Sequence, residues 1–211
     1  MNVYNTIDMM YEVCDEAISS KDLLCKLDSF VGDGDHGFTV ARGFSAVKNV
    51  LDKGSFNTPR EVFAAVGDTL AESMGGAIGL IIGGLFSGGA RTMNDSADIT
   101  VDDIYKLLRN GLEEIKMIGG AKEGDRTLID ALSPACDAYK NKMDSESGLA
   151  ECLHAAAIAA GDGAAGTSKM VARKGRAKFL NKESLGYVDA GSVTMQKVIE
   201  AMWKYVRKIE E

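Results

Sequence analysis

Apolar residues recur at helical spacing along almost the whole chain, and this periodicity restricts the possible folds more than any other feature. Stripes of this kind run through residues 3–18, 101–118 and 198–209. Further helices are predicted at about 38–52, 60–74, 77–93, 127–142 and 147–161, which makes roughly eight in all. No alternating run of strand length appears beside them. The pattern therefore predicts an all-α fold, an antiparallel bundle with short connections.

Composition and length favour a single soluble domain spanning residues 1–211, with no linker or repeat. A net charge of −7 argues against direct nucleic-acid binding. The most apolar stretch, residues 75–86, is too short to span a bilayer, and the first residues carry no signal-peptide pattern. The four cysteines lack metal-binding or C-x-x-C spacing, which is typical of free thiols. We therefore expect a cytoplasmic protein without membrane contact.

An acidic loop, residues 28–37, carries the densest chemistry in the chain. Asp28, Asp33 and Asp35 place three carboxylates within eight residues, where they repel one another unless a cation lies among them. Mg²⁺ is usually shared between protein carboxylates and nucleotide phosphates. The intervening glycines permit the tight turn that brings the acids together. The loop therefore predicts a magnesium–phosphate site.

The same residues allow two other interpretations of the loop. A solvated acidic turn needs no ligand and is a common outcome for an isolated Asp-x-Asp pair. A calcium loop of the EF-hand type fails, because counting from Asp33 puts Gly37 at the fifth position and Phe44 at the twelfth. Those positions require an oxygen ligand and a glutamate. The magnesium–phosphate site remains the favoured interpretation.

The 24 glycines gather in clusters denser than helix capping requires, which indicates several loops meeting around a ligand. In the cluster at 73–79, Gly76, Ala77 and Ile78 begin a predicted helix, whose free amide groups favour phosphate binding. Close packing between helices through small residues explains this cluster equally well.

The segment Gly124-Asp-Arg-Thr127 has the pattern of a helix start, with Asp130 at capping-box spacing from Thr127. That structural interpretation accounts for most of it. The backbone of Gly124 and the amide of Thr127 are also candidates for the wall of a nucleotide pocket.

A basic run at 169–178 stands out in this acidic chain. Most charge runs are solvated, but Arg176 follows Gly175 and has the planar guanidinium that binds phosphate bidentately. Asp189 is expected either to cap a helix or to bond a ribose hydroxyl. His36 adjoins the acidic loop and is a candidate ligand contact, with no Ser or Cys partner to indicate covalent catalysis.

Four motifs follow one another in a fixed order: Asp28 with Gly32-Asp-Gly-Asp-His-Gly37, Gly75-Gly-Ala-Ile-Gly79, Gly124-Asp-Arg-Thr127, and Arg173-Lys-Gly-Arg176 with Gly186-Tyr-Val-Asp-Ala-Gly191. In this order they resemble the L subunit of dihydroxyacetone kinase, a nucleotide-binding component that also occurs fused into single-chain ATP-dependent kinases. The resemblance covers essentially residues 1–209. It implies an eight-helix barrel with a nucleotide–magnesium site in the loops at one end.

By this resemblance, Asp28, Asp33 and Asp35 hold two Mg²⁺ ions that bridge the phosphates of ADP or ATP. Ala77 and Ile78 are implied at the phosphates, and Gly119 and Leu128 at the adenine. Together with the residues taken from the motifs, the candidate nucleotide-binding set is His36, Gly37, Thr39, Gly76, Ala77, Ile78, Gly119, Thr127, Leu128, Arg176, Asp189 and Gly191. No catalytic residue is assigned on this chain.

The resemblance also implies partners. A chain of this kind standing alone resembles the phosphotransferase-system type, in which bound ADP acts as a coenzyme. A phosphohistidine-carrying M subunit is then the donor, and a K subunit holds the ketose. L subunits of this kind can also bind a transcriptional regulator, and a homo-oligomer is compatible with the sequence. Phosphoryl transfer needs positioning and charge neutralisation more than covalent chemistry, and metals on clustered carboxylates supply both.

Five positions depart from the usual family pattern. The family usually has Asn at Thr39, Ser at Ile78, and Pro at Leu80, Glu123 and Ala190. A serine hydroxyl at position 78 would bond a phosphate, so its absence is expected to weaken binding by about 1–3 kcal/mol. The backbone amides of Ala77 and Ile78 remain available.

The leading hypothesis is therefore the nucleotide-holding phosphotransfer subunit of a dihydroxyacetone-type kinase. One alternative is a non-catalytic module that senses nucleotide and docks on a transcriptional regulator. Another is a component of a kinase for a different ketose, such as erythrulose. The sequence does not separate the two kinases, because the substrate contacts lie on the partner.

Overall fold

The computed structural model describes all 211 residues, and its regular elements are helices. The nine α-helices are α1 (Val3–Ser19), α2 (Lys21–Ser29), α3 (His36–Lys53), α4 (Pro59–Met74), α5 (Gly76–Ala90), α6 (Val101–Gly119), α7 (Ile129–Met143), α8 (Leu149–Gly166) and α9 (Ala190–Glu210). Two 3₁₀ segments, Thr167–Lys169 and Arg176–Ser184, lie between α8 and α9. None of the helices combines the length and the apolar character needed to cross a membrane.

Eight of the helices pack side by side in a closed ring. The order around the ring is α1, α3, α4, α5, α6, α7, α8 and α9, and α9 packs back against α1. The predicted eight-helix barrel is thereby confirmed. The ninth helix, α2, packs against α3 and α9, is nine residues long and buries only Leu24, and the sequence analysis did not predict it.

The ring encloses one apolar cluster of 48 buried residues. Its tightest wall is α5, which packs between α4 and α6. A methyl group added at Gly83 would lie 2.5 Å from the carbonyl oxygen of Gly67 on α4, and one added at Gly111 of α6 would lie 2.5 Å from that of Leu85. Part of the glycine clustering therefore comes from close helix contacts, as the packing interpretation predicts.

The helix ends follow their capping residues. Thr58 accepts a hydrogen bond from the Glu61 amide at 3.4 Å and precedes Pro59, the first residue of α4. Asp189 caps α9, so this helix begins well before the apolar stripe at 198–209 that predicted it. The four cysteines are free, and Cys14, Cys136 and Cys152 are buried in the core.

Candidate functional site

One cavity of about 820 Å³ lies where four alternate helices of the ring begin. Its wall includes His36, Gly76, Ile129 and Ala190, which are the first residues of α3, α5, α7 and α9. Because the positive end of a helix dipole is its N terminus, four positive ends converge on this cavity. That arrangement favours an anionic ligand.

The acidic loop between α2 and α3 forms one side of the cavity. A carboxylate oxygen of each of Asp28, Asp33 and Asp35 lies within 4.8 Å of the others. Oδ2 of Asp28 accepts hydrogen bonds from the amides of Gly34 at 2.8 Å and His36 at 3.4 Å, so the loop folds around this carboxylate. Gly34 has φ 76°, which a glycine adopts without strain.

These three carboxylates suit a divalent cation on electrostatic grounds. Burial and the negative charge of Asp33 raise the pKa of Asp35 above its ordinary value, so a second ionised group beside it is unfavourable. A hard cation with a preference for carboxylate oxygen relieves this repulsion, and Mg²⁺ and Ca²⁺ are of that class. The donor set therefore fits the predicted metal site.

The turn between α4 and α5 forms a second side. Gly75 and Gly76 have φ of 71° and 62°, and open space surrounds the position of an added methyl group at Gly76. No side chain caps α5, so its first amides are left for a ligand. Arg42 fixes the turn, since its Nε donates to the Ser73 carbonyl oxygen at 2.9 Å and its Nη2 donates to that of Met74. The packing explanation of the glycine cluster therefore holds at Gly83, and the uncapped start of α5 is compatible with the phosphate explanation, which stays a prediction.

The opposite wall is apolar. It is formed by side chains from α5, α6 and the start of α7, namely Leu80, Ile81, Ile115, Ile118, Ala121, Leu128 and Ile129. Gly119, the last residue of α6, lies among them. An apolar wall facing a polar, charged one is the arrangement that holds a ligand with a flat aromatic part and a charged part.

His36 is held in the wall as a neutral group. Its Nε2 lies 2.8 Å from Oγ1 of Thr194, and that hydroxyl donates to the Ala190 carbonyl oxygen at 3.1 Å. The hydroxyl therefore accepts from His36, which places the ring proton on Nε2. Burial lowers the pKa of His36, in agreement with a neutral ring.

The amides of Gly124 and Thr127 are bonded within the protein. Asp130 accepts from Gly124 N at 2.5 Å and from Thr127 N at 2.7 Å. The structural interpretation of this motif is therefore correct, and neither amide is free for a ligand. Thr127 still lies in the cavity wall, whereas Gly124 does not.

Asp189 has the first of its two predicted roles, helix capping, whereas its contact with a ribose hydroxyl stays a prediction. Its Oδ2 accepts from the Ser192 amide at 2.7 Å, which caps α9. The same residue lines the cavity, together with Gly191. Arg176 also lines the cavity and forms an ion pair with Asp33.

Of the candidate metal-binding and nucleotide-binding sets, every residue except Gly37 lies in the wall of this one cavity. Gly37 is buried behind it, where a methyl group would meet Sγ of Cys25 at 2.7 Å, so glycine is required there by the packing of α2 on α3. Sequence reasoning missed Arg42, Arg126 and Lys174, which also line the cavity. Arg126 and Lys174 both stand inside motifs that carry the family resemblance, and their place in those motifs was the available signal.

The chain matches the model of the DAK2 domain over residues 30–204. It is 30% identical over 190 residues to the PEP-dependent dihydroxyacetone kinase, ADP-binding subunit DhaL, of Escherichia coli, covering 90% of each chain. It is also 30% identical to the PTS-dependent ADP-binding subunit DhaL of Lactococcus lactis, covering 98% of this chain and 99% of the relative.

A solved structure extends the comparison to the fold. The dihydroxyacetone kinase of C. freundii in complex with AMP-PNP and Mg²⁺ superposes with a TM-score of 0.73 at 27% identity, over 94% of this chain and 33% of that one. That complex contains a nucleotide analogue and Mg²⁺, a metal of the class that the carboxylate cluster of this chain suits. The order of the motifs, the closed ring and these matches lead to one conclusion: the chain belongs to the DAK2 domain family.

Proposed function

We propose that this chain is the nucleotide-holding subunit of a dihydroxyacetone-type kinase, a phosphotransferase acting on an alcohol group. One observation carries the proposal: a carboxylate cluster, an uncapped helix start and an apolar wall enclose a single cavity. These three parts match a metal, a phosphate chain and a nucleobase. The similarity to ADP-binding DhaL subunits over nearly their full length supports the same reading.

Asp28, Asp33 and Asp35 would hold Mg²⁺, and we propose two ions, as the family resemblance implies. Bound there, Mg²⁺ supplies charge neutralisation for the transferred phosphoryl group. The amides of Gly34 and His36 both donate to Oδ2 of Asp28 and so orient this carboxylate. Its other oxygen, Oδ1, is therefore the one more available to the metal. The amides of Ala77 and Ile78 bind the phosphate oxygens, and the apolar wall near Gly119 and Leu128 orients the adenine.

The ketose is bound elsewhere in this proposal. Nε2 of His36 donates its proton to the Thr194 hydroxyl, so this nitrogen is not available to deprotonate a sugar hydroxyl. A partner K subunit therefore holds the ketose, and a phosphohistidine M subunit recharges bound ADP. Exposed aromatic rings near the cavity suit such docking: Phe30 is 49% exposed, Phe38 61% and Phe179 80%. A cytoplasmic location belongs to the same proposal.

The test begins with the protein purified without added nucleotide. Denaturation and mass spectrometry should release about one ADP per chain if the nucleotide is a resident coenzyme. The chain is then mixed with the K and M subunits of a DhaL relative, and phosphorylation of dihydroxyacetone and of erythrulose is followed. Turnover with either ketose supports the kinase and names its substrate.

Two outcomes would count against the proposal. Tight ADP binding without turnover on any ketose would favour a nucleotide-sensing module that docks on a transcriptional regulator. Absence of any response to ADP or ATP with Mg²⁺, measured by thermal unfolding, would remove the nucleotide site altogether.

A further inference from the structure

Arg126 is the largest of the fully buried side chains, and its backbone conformation is unusual. The residue is 1% exposed, yet it lies in the cavity wall. Its φ is 61°, a region that residues other than glycine rarely adopt. Backbone strain of this kind persists only where other interactions compensate for it, and it is common at ligand sites. The contacts of the Arg126 side chain are therefore expected to matter.

Residues 170–188, here called the strap, run between α8 and α9 and line the cavity through Lys174, Gly175, Arg176 and Ala177. Only Ala172 and Ser184 of the strap are buried. With so little apolar contact, the position of the strap depends on a few polar contacts. One of these contacts is the hydrogen bond that the Arg173 amide donates to the Asp125 carbonyl oxygen at 3.0 Å. Another is the ion pair between Arg176 and Asp33.

Arg126 supplies the most buried of the attachments. Its Nε and Nη2 both donate to the carbonyl oxygen of Tyr187, at 3.2 and 2.9 Å. The ring of Tyr187 stacks on Phe30 of the acidic loop, with the centroids 5.2 Å apart. Arg126 thus fixes the end of the strap at the point where the strap meets the metal-site loop.

The remaining nitrogen of the guanidinium has no partner. Nη1 of Arg126 is the one buried side-chain nitrogen or oxygen without a hydrogen bond. Burial lowers the pKa of Arg126, and the nearby carboxylate of Asp189 counteracts this effect. A charged donor left unsatisfied in a cavity wall is costly, and an oxygen of a ligand in that cavity would satisfy it.

We propose that Arg126 couples nucleotide binding to the position of the strap, because Nε and Nη2 hold Tyr187 while Nη1 donates a hydrogen bond to a phosphate or ribose oxygen of the nucleotide. The identity of the ligand rests on the proposed function. The contact between Arg126 and Tyr187 of the strap is independent of that function, because both residues belong to this chain and no ligand takes part.

The test compares Arg126→Lys and Arg126→Met with Lys182→Gln, which removes an exposed cation of the strap outside the cavity wall. The first readout is trypsin cleavage after Lys174 and Arg176 without nucleotide, followed by mass spectrometry. Both Arg126 variants should be cleaved faster than the wild type and the control. Arg126→Lys keeps the positive charge but loses the paired hydrogen bonds from Nε and Nη2 to Tyr187. Because it is the milder change, it serves as the test if Arg126→Met does not fold.

The second readout is the affinity for ADP with Mg²⁺ and for adenosine, by calorimetry. Loss of a charge-assisted hydrogen bond should weaken ADP binding by about tenfold to a hundredfold in Arg126→Met, and ADP should no longer protect the strap from trypsin. A loss confined to ADP places Nη1 on a phosphate oxygen, and an equal loss for adenosine places it on the ribose.

Unchanged cleavage in both Arg126 variants would overturn the strap contact. Faster cleavage with unchanged ADP affinity would overturn the contact with the ligand. A wild-type protein that binds no ADP would refute the proposed function instead, and the cleavage rates without nucleotide would still decide the role of Arg126 in holding the strap.

Discussion

The guanidinium of Arg176 forms an ion pair with the carboxylate of Asp33, so the strap is joined directly to the acidic loop. The two side chains are 69% and 36% exposed, and exposed pairs of this kind contribute at most about 1 kcal/mol. Asp33 is also one of the three carboxylates of the candidate metal site. A metal ion bound there would compete with Arg176 for the same carboxylate, and the released guanidinium would be available to a phosphate.

Arg176→Gln should change metal and nucleotide affinity in opposite directions. Removal of the competing cation is expected to tighten Mg²⁺ binding about two- to fivefold. Loss of a phosphate contact is expected to weaken ADP binding about tenfold or more. Separate calorimetric titrations measure both, with Lys178→Gln as the control, because Lys178 is an exposed strap residue outside the cavity wall. A parallel fall of both affinities would contradict the competition.

Asp35→Asn should abolish stabilisation by Mg²⁺ and weaken ADP binding in its presence, because the cluster loses one of three charged ligands. The matched control is Asp22→Asn on α2, whose side chain is 94% exposed and pairs only with Lys21. Thermal unfolding with and without Mg²⁺ is the measurement. Full retention of the Mg²⁺ effect in Asp35→Asn would show that the metal binds elsewhere.

The affinity for Mg²⁺ should fall as the pH is lowered, and the fall should begin at a higher pH than an ordinary aspartate would give. The pKa of Asp35 is raised by burial and by Asp33, so its carboxylate takes up a proton at a higher pH than an ordinary aspartate does. The metal binds the ionised form, and protonation therefore opposes it. Carboxyl ¹³C NMR of Asp35 should show the raised pKa without metal and a lower one with Mg²⁺. A carboxyl that titrates at the same pH in both conditions would contradict this prediction.

Two glycine-to-alanine substitutions should separate packing from binding. Gly83→Ala places a methyl group 2.5 Å from the Gly67 carbonyl oxygen and is expected to cost about 1–3 kcal/mol of unfolding free energy. Gly76→Ala meets no atom within 4 Å but has φ 62°, so we expect a cost of about 1–2 kcal/mol together with weaker ADP binding. Urea unfolding and calorimetry give the two quantities. Equal ADP affinity in Gly76→Ala and the wild type would argue against a phosphate at this turn.

Ile78→Ser should bind ADP about tenfold more tightly than Ile78→Ala, because it adds a hydroxyl at the start of α5 where the family usually has one. The alanine variant is the proper reference, since Ile78 packs partly against the core and both substitutions remove that contact. Equal affinities in the two variants would place the phosphates away from position 78.

Sequence periodicity predicted the eight helices of the ring because each buries a continuous apolar stripe. It missed α2, which is nine residues long and buries only Leu24. The carboxylate cluster was predictable because its members are near neighbours in the chain, and a turn through glycines suffices to join them.

Contacts between distant residues were beyond the same reasoning. Arg126 and Tyr187 are separated by 61 positions, and Arg42 reaches Ser73 across 31. A single buried arginine does not alter the apolar periodicity of a sequence. Its acceptor is a backbone carbonyl oxygen, which every residue type carries, so the sequence does not identify the partner. The bond from the Thr127 amide to Asp130 spans only three positions, and the capping-box spacing of these two residues predicted it. Only the alternative, in which this amide faces a ligand, is wrong.

The closed ring places four separate connections of the chain around one cavity, each contributing a different wall. A substitution in one connection can therefore change how one part of the ligand is bound. The other connections and the helices of the ring are left undisturbed. Thr39, Ile78, Leu80 and Ala190, four of the positions that depart from the family pattern, line the cavity near the starts of α3, α5 and α9. Such a scaffold is suited to stepwise evolutionary change, in which one loop at a time can alter its contacts with the ligand while the acidic loop keeps its three clustered carboxylates.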